Sequence, residues 1–230
     1  MSSLTSENAR TRIRQLAETY AEHGGDYRLQ ASQWSTARWT KHLRTGWHLP
    51  NPITRHDVFS IVGAAKSPEL AEKAFVAVMV WGFGWTGYGP HRVTEMRGSR
   101  PEGIGQYMLH VLTEAKTGPV EAYRSMSKNH AVQLGPSYAS KIAYFATPNE
   151  VSPILDSLVA RWVKEHEGRM LFDANKWSTP QYSNFQAYCQ ELLETACDVV
   201  AVDHQTLGLV EYLMFVDQGA AGLPAWAKTI

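Results

Sequence analysis

Cysteine is scarce in this chain: there are two among 230 residues, Cys189 and Cys197. They fall eight positions apart in one helical pattern. At 1.5 Å per residue that is about 12 Å, too far for a disulfide within that helix. No C-x-x-C pair, H-E-x-x-H motif or four-cysteine cluster occurs, so the nine histidines bring no zinc or iron–sulfur reading with them, and neither metal nor organic cofactor is expected. No apolar run reaches the roughly 18 residues of a membrane span. The opening Met1-Ser2-Ser3-Leu4-Thr5-Ser6-Glu7 lacks the apolar centre of a signal peptide. A cytoplasmic, monomeric protein without a membrane partner is the expectation. Excess charge is also missing, since 22 basic residues cancel 22 acidic ones, which argues against a generic polyanion binder. There is almost no period-two alternation, no internal repeat, and no G-x-G-x-x-G or G-K-[ST] after a strand.

What the chain does have is helical periodicity and aromatic residues: eight Trp, ten Tyr and seven Phe. Ile13, Leu16, Ala17 and Tyr20 mark a first helix, and Val58, Ile61 and Val62 a short one. Ser67-Pro68-Glu69 is a helix start, with Ser as cap and Pro at the first position, opening a run through Leu70, Ala74, Phe75, Val78 and Met79 that is apolar nearly all round. Helices follow over 105–114 and 120–132. Tyr182, Phe185, Tyr188, Cys189, Leu192, Leu193, Ala196, Cys197 and Val200 predict a long amphipathic helix, and 207–215 a last one. The fold is therefore expected to be all-α, one domain over 1–230 with two helical lobes, approximately 55–150 and 1–54 plus 151–230, around a cleft. Charge is uneven along it. Arg28, Arg38, Lys41, Arg44 and Arg55 occur without a carboxylate between Tyr27 and His56. Glu191, Glu194, Asp198, Asp203, Glu211 and Asp217 occur without a cation from Gln190 to Asp217, so a basic and an acidic face are expected.

Two segments carry chemistry. The first is Trp81-Gly82-Phe83-Gly84-Trp85-Thr86-Gly87-Tyr88-Gly89-Pro90-His91-Arg92, where four glycines and a proline within nine residues predict a compact loop starting at Trp81. Rings on such a loop suit contact with a ligand, although an Ω-type loop packed by its own aromatics has the same composition. The basic and aromatic stretch Trp34, Arg38, Trp39, Lys41, His42, Arg44 and Trp47 is equally open between stacking on bases and covering a core.

The second segment is Leu134-Gly135-Pro136-Ser137-Tyr138-Ala139-Ser140-Lys141-Ile142-Ala143-Tyr144-Phe145. Pro136 cannot continue a helix and Gly135 takes positive φ readily, so a helix, a tight hairpin and a second helix are expected. Lys141 then lies one turn before Phe145 on one face. An amine in so apolar a run must be paired or give up its proton, yet a lysine at the edge of an amphipathic helix would look the same. Lys116, Arg124, Lys128 and Lys141 outnumber Glu121 on the approach, which favours a phosphate nearby. Fifteen residues after Lys141 comes Asp156, at a helix start, where free N–H groups and the dipole stabilise its anion. By itself an aspartate there is a cap.

These residues, with Pro153-Ile154-Leu155-Asp156-Ser157-Leu158-Val159-Ala160-Arg161-Trp162, resemble the helix–hairpin–helix DNA glycosylases. Among them the likeness is greatest to the small, archaeal-type branch of 8-oxoguanine DNA glycosylases of the OGG fold, which lacks the N-terminal β-domain. The resemblance implies that Lys141 is the nucleophile, Asp156 the assisting acid, and Phe145 a residue against the extruded base. Tyr182, Gln186 and Tyr188 on the C-terminal helix become candidates for further base contacts. Trp81, Trp85, Tyr88 and Arg92 would fill the vacated stack and touch the orphaned partner, and Lys128, Gly135, Ser137 and Ser140 would meet DNA phosphate. The hairpin departs from the family's Leu-Pro-Gly-x-Gly, so Ser137 and Ser140 would have to donate hydroxyls where glycine N–H groups otherwise serve. The partner implied is double-stranded DNA with a damaged or modified base, and the activity a combined glycosylase and AP lyase removing 8-oxoguanine. Three alternatives share these residues: a non-catalytic DNA- or protein-binding module, a glycosylase for other modified bases, for example in defence against foreign DNA, and an unrelated helical enzyme.

Overall fold

The computed structural model describes residues 3–23, 25–29, 39, 47–83 and 88–219. Among them are ten α-helices and no strand: α1 (Glu7–His23), α2 (Arg55–Gly63), α3 (Pro68–Phe83), α4 (Gly89–Gly98), α5 (Ile104–Glu114), α6 (Pro119–Lys128), α7 (Pro136–Ala146), α8 (Ser157–Glu167), α9 (Thr179–Ala196) and α10 (Leu207–Asp217). The all-α expectation holds. No helix of the described residues is long and apolar enough to cross a membrane. The chain divides into two compact units, one of Met1–Tyr27 with Pro148–Ile230, the other of Arg28–Thr147.

In the second unit α3 is central, with 74–80 buried on every face and α2, α4, α5 and α7 packed around it. Its start is the one expected: the Leu70 amide donates to Ser67 Oγ at 3.3 Å, and Pro68 supplies a first residue whose missing N–H costs nothing there. Close approach of α5 depends on Gly105, where a Cβ would stand 2.0 Å from the Pro68 carbonyl oxygen. Thr54 caps α2 in a reciprocal box: the Asp57 amide donates to Thr54 Oγ1 at 3.1 Å and the Thr54 amide to Asp57 Oδ2 at 2.8 Å. Two boundaries differ from the periodicity reading. Helix α3 runs on through Trp81 and Gly82 to Phe83, because Trp81 and Phe83 both find packing partners on α7. Helix α6 stops at Lys128, four residues before the expected end.

In the first unit α1 packs on α8, α9 and α10, around the fully buried Trp162. Its indole Nε1 donates to Asp217 Oδ2 at 2.8 Å, and Arg12 Nε donates to the same oxygen at 3.0 Å. Burial raises the Asp217 carboxyl, but these donors and the charges of Arg12 and His166 outweigh it and hold the group below its ordinary range. Four of the six carboxylates of the acidic segment are consequently taken up within the fold. Asp217 is used by Arg12, Asp198 by Arg14 at 2.7 Å, and Glu191 by Ser3 Oγ at 2.7 Å and the Leu4 amide at 3.0 Å. Glu211 is buried. Sequence separation of more than 180 residues between such partners hides this from a local charge count. Both cysteines are free thiols, and burial pushes the Cys189 thiol well up.

Candidate active site on helix α7

The hairpin before α7 is tied down from outside itself. Arg100 Nη1 donates to Asn129 Oδ1 at 2.9 Å, the Val132 amide donates to Ser99 Oγ at 3.1 Å, and Arg92 Nη2 donates to the Gln133 carbonyl at 2.9 Å. The positive φ of the turn belongs to Gln133 (67°). Gly135 instead has φ −91° and ψ 167°, so the expected left-handed glycine is corrected: Gly135 is an extended cap residue before Pro136. Gly135 and Ser137 are half-buried. Ser140 is fully buried and its Oγ donates to the Ser137 carbonyl at 2.8 Å, which removes it as a phosphate donor.

Lys141 is 6 % exposed. Its Nζ donates to Ser137 Oγ at 3.3 Å and lies 5.5 Å from the centre of the Tyr138 ring. The Lys141 stem passes over Gly82 of α3. Phe145 is buried among Phe59, Trp81 and Tyr144, with ring centres 4.9, 5.0 and 4.8 Å away. That makes it an interior residue of this unit and not an open face for a base, a correction to the role implied by the resemblance. Arg55, 5 % exposed, lies 5.0 Å over Trp81 and 5.2 Å over Tyr144, and its Nη1 donates to the Tyr144 hydroxyl at 3.2 Å. Trp81 is accordingly a helix residue under a buried guanidinium, not a loop residue reaching outward.

Of the remaining DNA candidates in this unit, Tyr88 is 61 % exposed beside His91, and Lys128 is exposed at the end of α6. Trp85 lies outside the described residues, as do Trp34, Arg38, Lys41, His42 and Arg44. Trp39 is buried, 6.2 Å from Phe83, so it covers core. Arg92 serves internally as well as at its tip: beyond its bond to Gln133, its guanidinium sits over Phe83 and Tyr138.

Asp156 belongs to the other unit and is the cap of α8. One carboxylate oxygen, Oδ1, accepts from the Leu158 and Val159 amides at 3.0 and 3.1 Å. Tyr182 and Tyr188 on α9 are fully buried. The Tyr182 hydroxyl is engaged with Ser152 at 2.6 Å and the Pro153 carbonyl at 3.1 Å, and Tyr188 donates to Glu167 at 2.9 Å. Both are core residues, which corrects their reading as base contacts: spacing alone cannot tell an inward tyrosine with a bonded hydroxyl from one lining a pocket. Gln186 is half-buried, with a buried Nε2 that has no hydrogen-bond partner. Sequence reasoning missed Tyr138 and Gly82 as neighbours of Lys141.

An all-helical chain in which a helix, a hairpin and a second helix carry a buried lysine has the fold of the helix–hairpin–helix glycosylases. A family model described as "Putative 8-oxoguanine DNA glycosylase OGG-like protein" matches residues 25–215, and the chain belongs to that family. Membership implies DNA as substrate. No curated protein and no solved structure matches the chain.

Proposed function

We propose that the protein is a DNA glycosylase with AP lyase activity, removing an oxidised purine such as 8-oxoguanine from double-stranded DNA through a Schiff base on Lys141. The observation that carries this reading is the lysine itself, an amine buried in the middle of a helix that directly follows a hairpin. A base inside a duplex hides its glycosidic bond, so the nucleotide is extruded first, and the exposed ring of Tyr88 is suited to occupy the vacated stack. The unprotonated Lys141 amine attacks C1′, the bond from C1′ to the base breaks, and the base leaves with the electron pair and takes up a proton. The proton lost from the amine passes to O4′ as the C1′–O4′ bond opens to give the iminium, and removal of a C2′ proton then expels the 3′ phosphate by β-elimination. Asp156 is assigned to stabilising positive charge developing on the sugar and to assisting proton transfer.

Borohydride trapping on an 8-oxoguanine:cytosine duplex and on an abasic-site duplex tests this. The wild type is expected to give a covalent protein–DNA band that disappears in Lys141→Gln, a loss of at least about a hundredfold. Cleavage of neither duplex, with both proteins binding equally, would sink the lyase reading in favour of a binding module. That alternative draws on the hairpin, whose Ser140 hydroxyl is consumed internally. Trapping on the abasic duplex alone would keep the lysine chemistry and move the substrate to another modified base.

A further inference from the structure

A lysine side chain loses much of its rotamer freedom when held in one conformation, and a nucleophile must be held in one to attack efficiently. Two residues shape the slot around Lys141. At Gly82 an added Cβ would stand 2.9 Å from Lys141 Cδ and 3.3 Å from Tyr138 Cε1, so only a residue without a side chain leaves the stem undisturbed. Tyr138, three positions before the lysine, presents its ring 5.5 Å from Nζ. That ring is itself fixed. Phe83 stacks on it with centres 4.2 Å apart and planes 29° apart. The Arg92 guanidinium lies 5.4 Å over Phe83 and 5.8 Å over Tyr138 while donating to the Gln133 carbonyl. Helices α3 and α4 and the hairpin thus converge on one tyrosine ring.

We propose that Tyr138 is a positioning residue for Lys141: its ring, clamped by Phe83 and Arg92, and the gap at Gly82 together hold the lysine stem in the rotamer that brings Nζ to Ser137 Oγ. The inference deepens the reading of Lys141 as the nucleophile and rests on it, but the contact of ring and lysine is observable without DNA. The ring acts through its face, so its hydroxyl is dispensable.

The experiment is NMR of protein carrying 13C-labelled lysine, with the Lys141 resonance assigned by its absence in Lys141→Gln. The Lys141 ε-methylene signal is expected to be ring-shifted in the wild type and in Tyr138→Phe, and to move to an unshifted position in Tyr138→Leu. Gly82→Ala, which keeps the ring and displaces the stem, is expected to move it as well. In single-turnover trapping on an abasic-site duplex, Tyr138→Leu is expected to be about tenfold to a hundredfold slower, with duplex affinity within about twofold of wild type. Tyr138→Phe is expected to restore the rate. A Lys141 signal unmoved in both Tyr138→Leu and Gly82→Ala, or trapping by both at the wild-type rate, overturns the proposal. Failure of the wild type to trap any DNA is a failure of the Schiff-base reading instead, and the resonance positions then decide the positioning by themselves.

Discussion

Both units bury ionisable side chains, but among the described residues only the second buries basic ones, and the two units hold them by different means. In the second, Arg55 and Lys141 are 5 % and 6 % exposed, and both lie against aromatic faces: Trp81 and Tyr144 for the arginine, Tyr138 for the lysine. Its buried carboxylate, Glu72, is answered by Arg97 at 2.7 Å. In the first unit the buried charges are the carboxylates Glu150 and Glu211. Glu150 accepts from Thr206 Oγ1 at 3.0 Å, a hydroxyl that is also 3.0 Å from the Tyr27 hydroxyl. An aromatic face stabilises a cation while remaining apolar, so a core rich in rings accommodates buried cations readily. A carboxylate needs N–H or O–H donors, and burial otherwise drives it to keep its proton. Glu150 is pushed up to about 7, chiefly by burial, with the Thr206 bond opposing and the charges of Asp26 and Glu211 adding to the rise. The unit that bears the lysine is therefore the one whose interior sets basic side chains against aromatic faces.

The sharpest way to break this contrast is Arg55→Leu, which keeps apolar bulk between Trp81 and Tyr144 but removes the cation and the donor to the Tyr144 hydroxyl. A loss of about 2–4 kcal/mol in urea unfolding is expected. Stability equal to wild type would mean that the rings there only fill space. In the first unit the informative variant is Glu150→Gln. Its carboxyl rises on folding from an ordinary 4.5 to about 7, so the folded state binds the proton more tightly. The stability this confers is complete below about pH 4.5 and lost as pH rises through 7. Wild type should fall relative to Glu150→Gln by roughly 3 kcal/mol across that window, measured by thermal melts at successive pH values, and parallel pH profiles would refute the shift. The smallest effect belongs to Lys141→Met. On the proposed reading of Lys141 as the nucleophile, its replacement is expected to change stability by less than about 1 kcal/mol, and a larger loss in the same urea assay would give the lysine a structural role.

Much of the fold was legible because its signals are local. The Ser67-Pro68 start, the Asp156 cap and the all-round apolar run of α3 each depend on residues within a turn of one another. The end of α6 was not, because what stops it lies elsewhere: Asn129, Val132 and Gln133 are claimed by Arg100, Ser99 and Arg92, 29 to 41 positions away. The same limit applies to the candidate site. Lys141 and Asp156 stand out by motif, whereas the burial of Phe145, Tyr182 and Tyr188 depends on partners that no spacing reveals. Gln133 shows how far tertiary contacts can override a turn rule, since a glutamine takes the left-handed conformation two residues from a glycine that does not.

The order of the units along the chain bears on how the protein is made. Residues 28–147 form one unit without interruption, while the other is assembled from both ends of the chain, 1–27 and 148–230. During synthesis the lysine-bearing unit can therefore complete its core as it leaves the ribosome. Helix α1, emerging first, has to wait for α8, α9 and α10. At about 5–20 residues per second, the apolar face of Ile13, Leu16 and Tyr20 stays uncovered for many seconds. In that interval it is an uncovered apolar face, of the kind that chaperones bind.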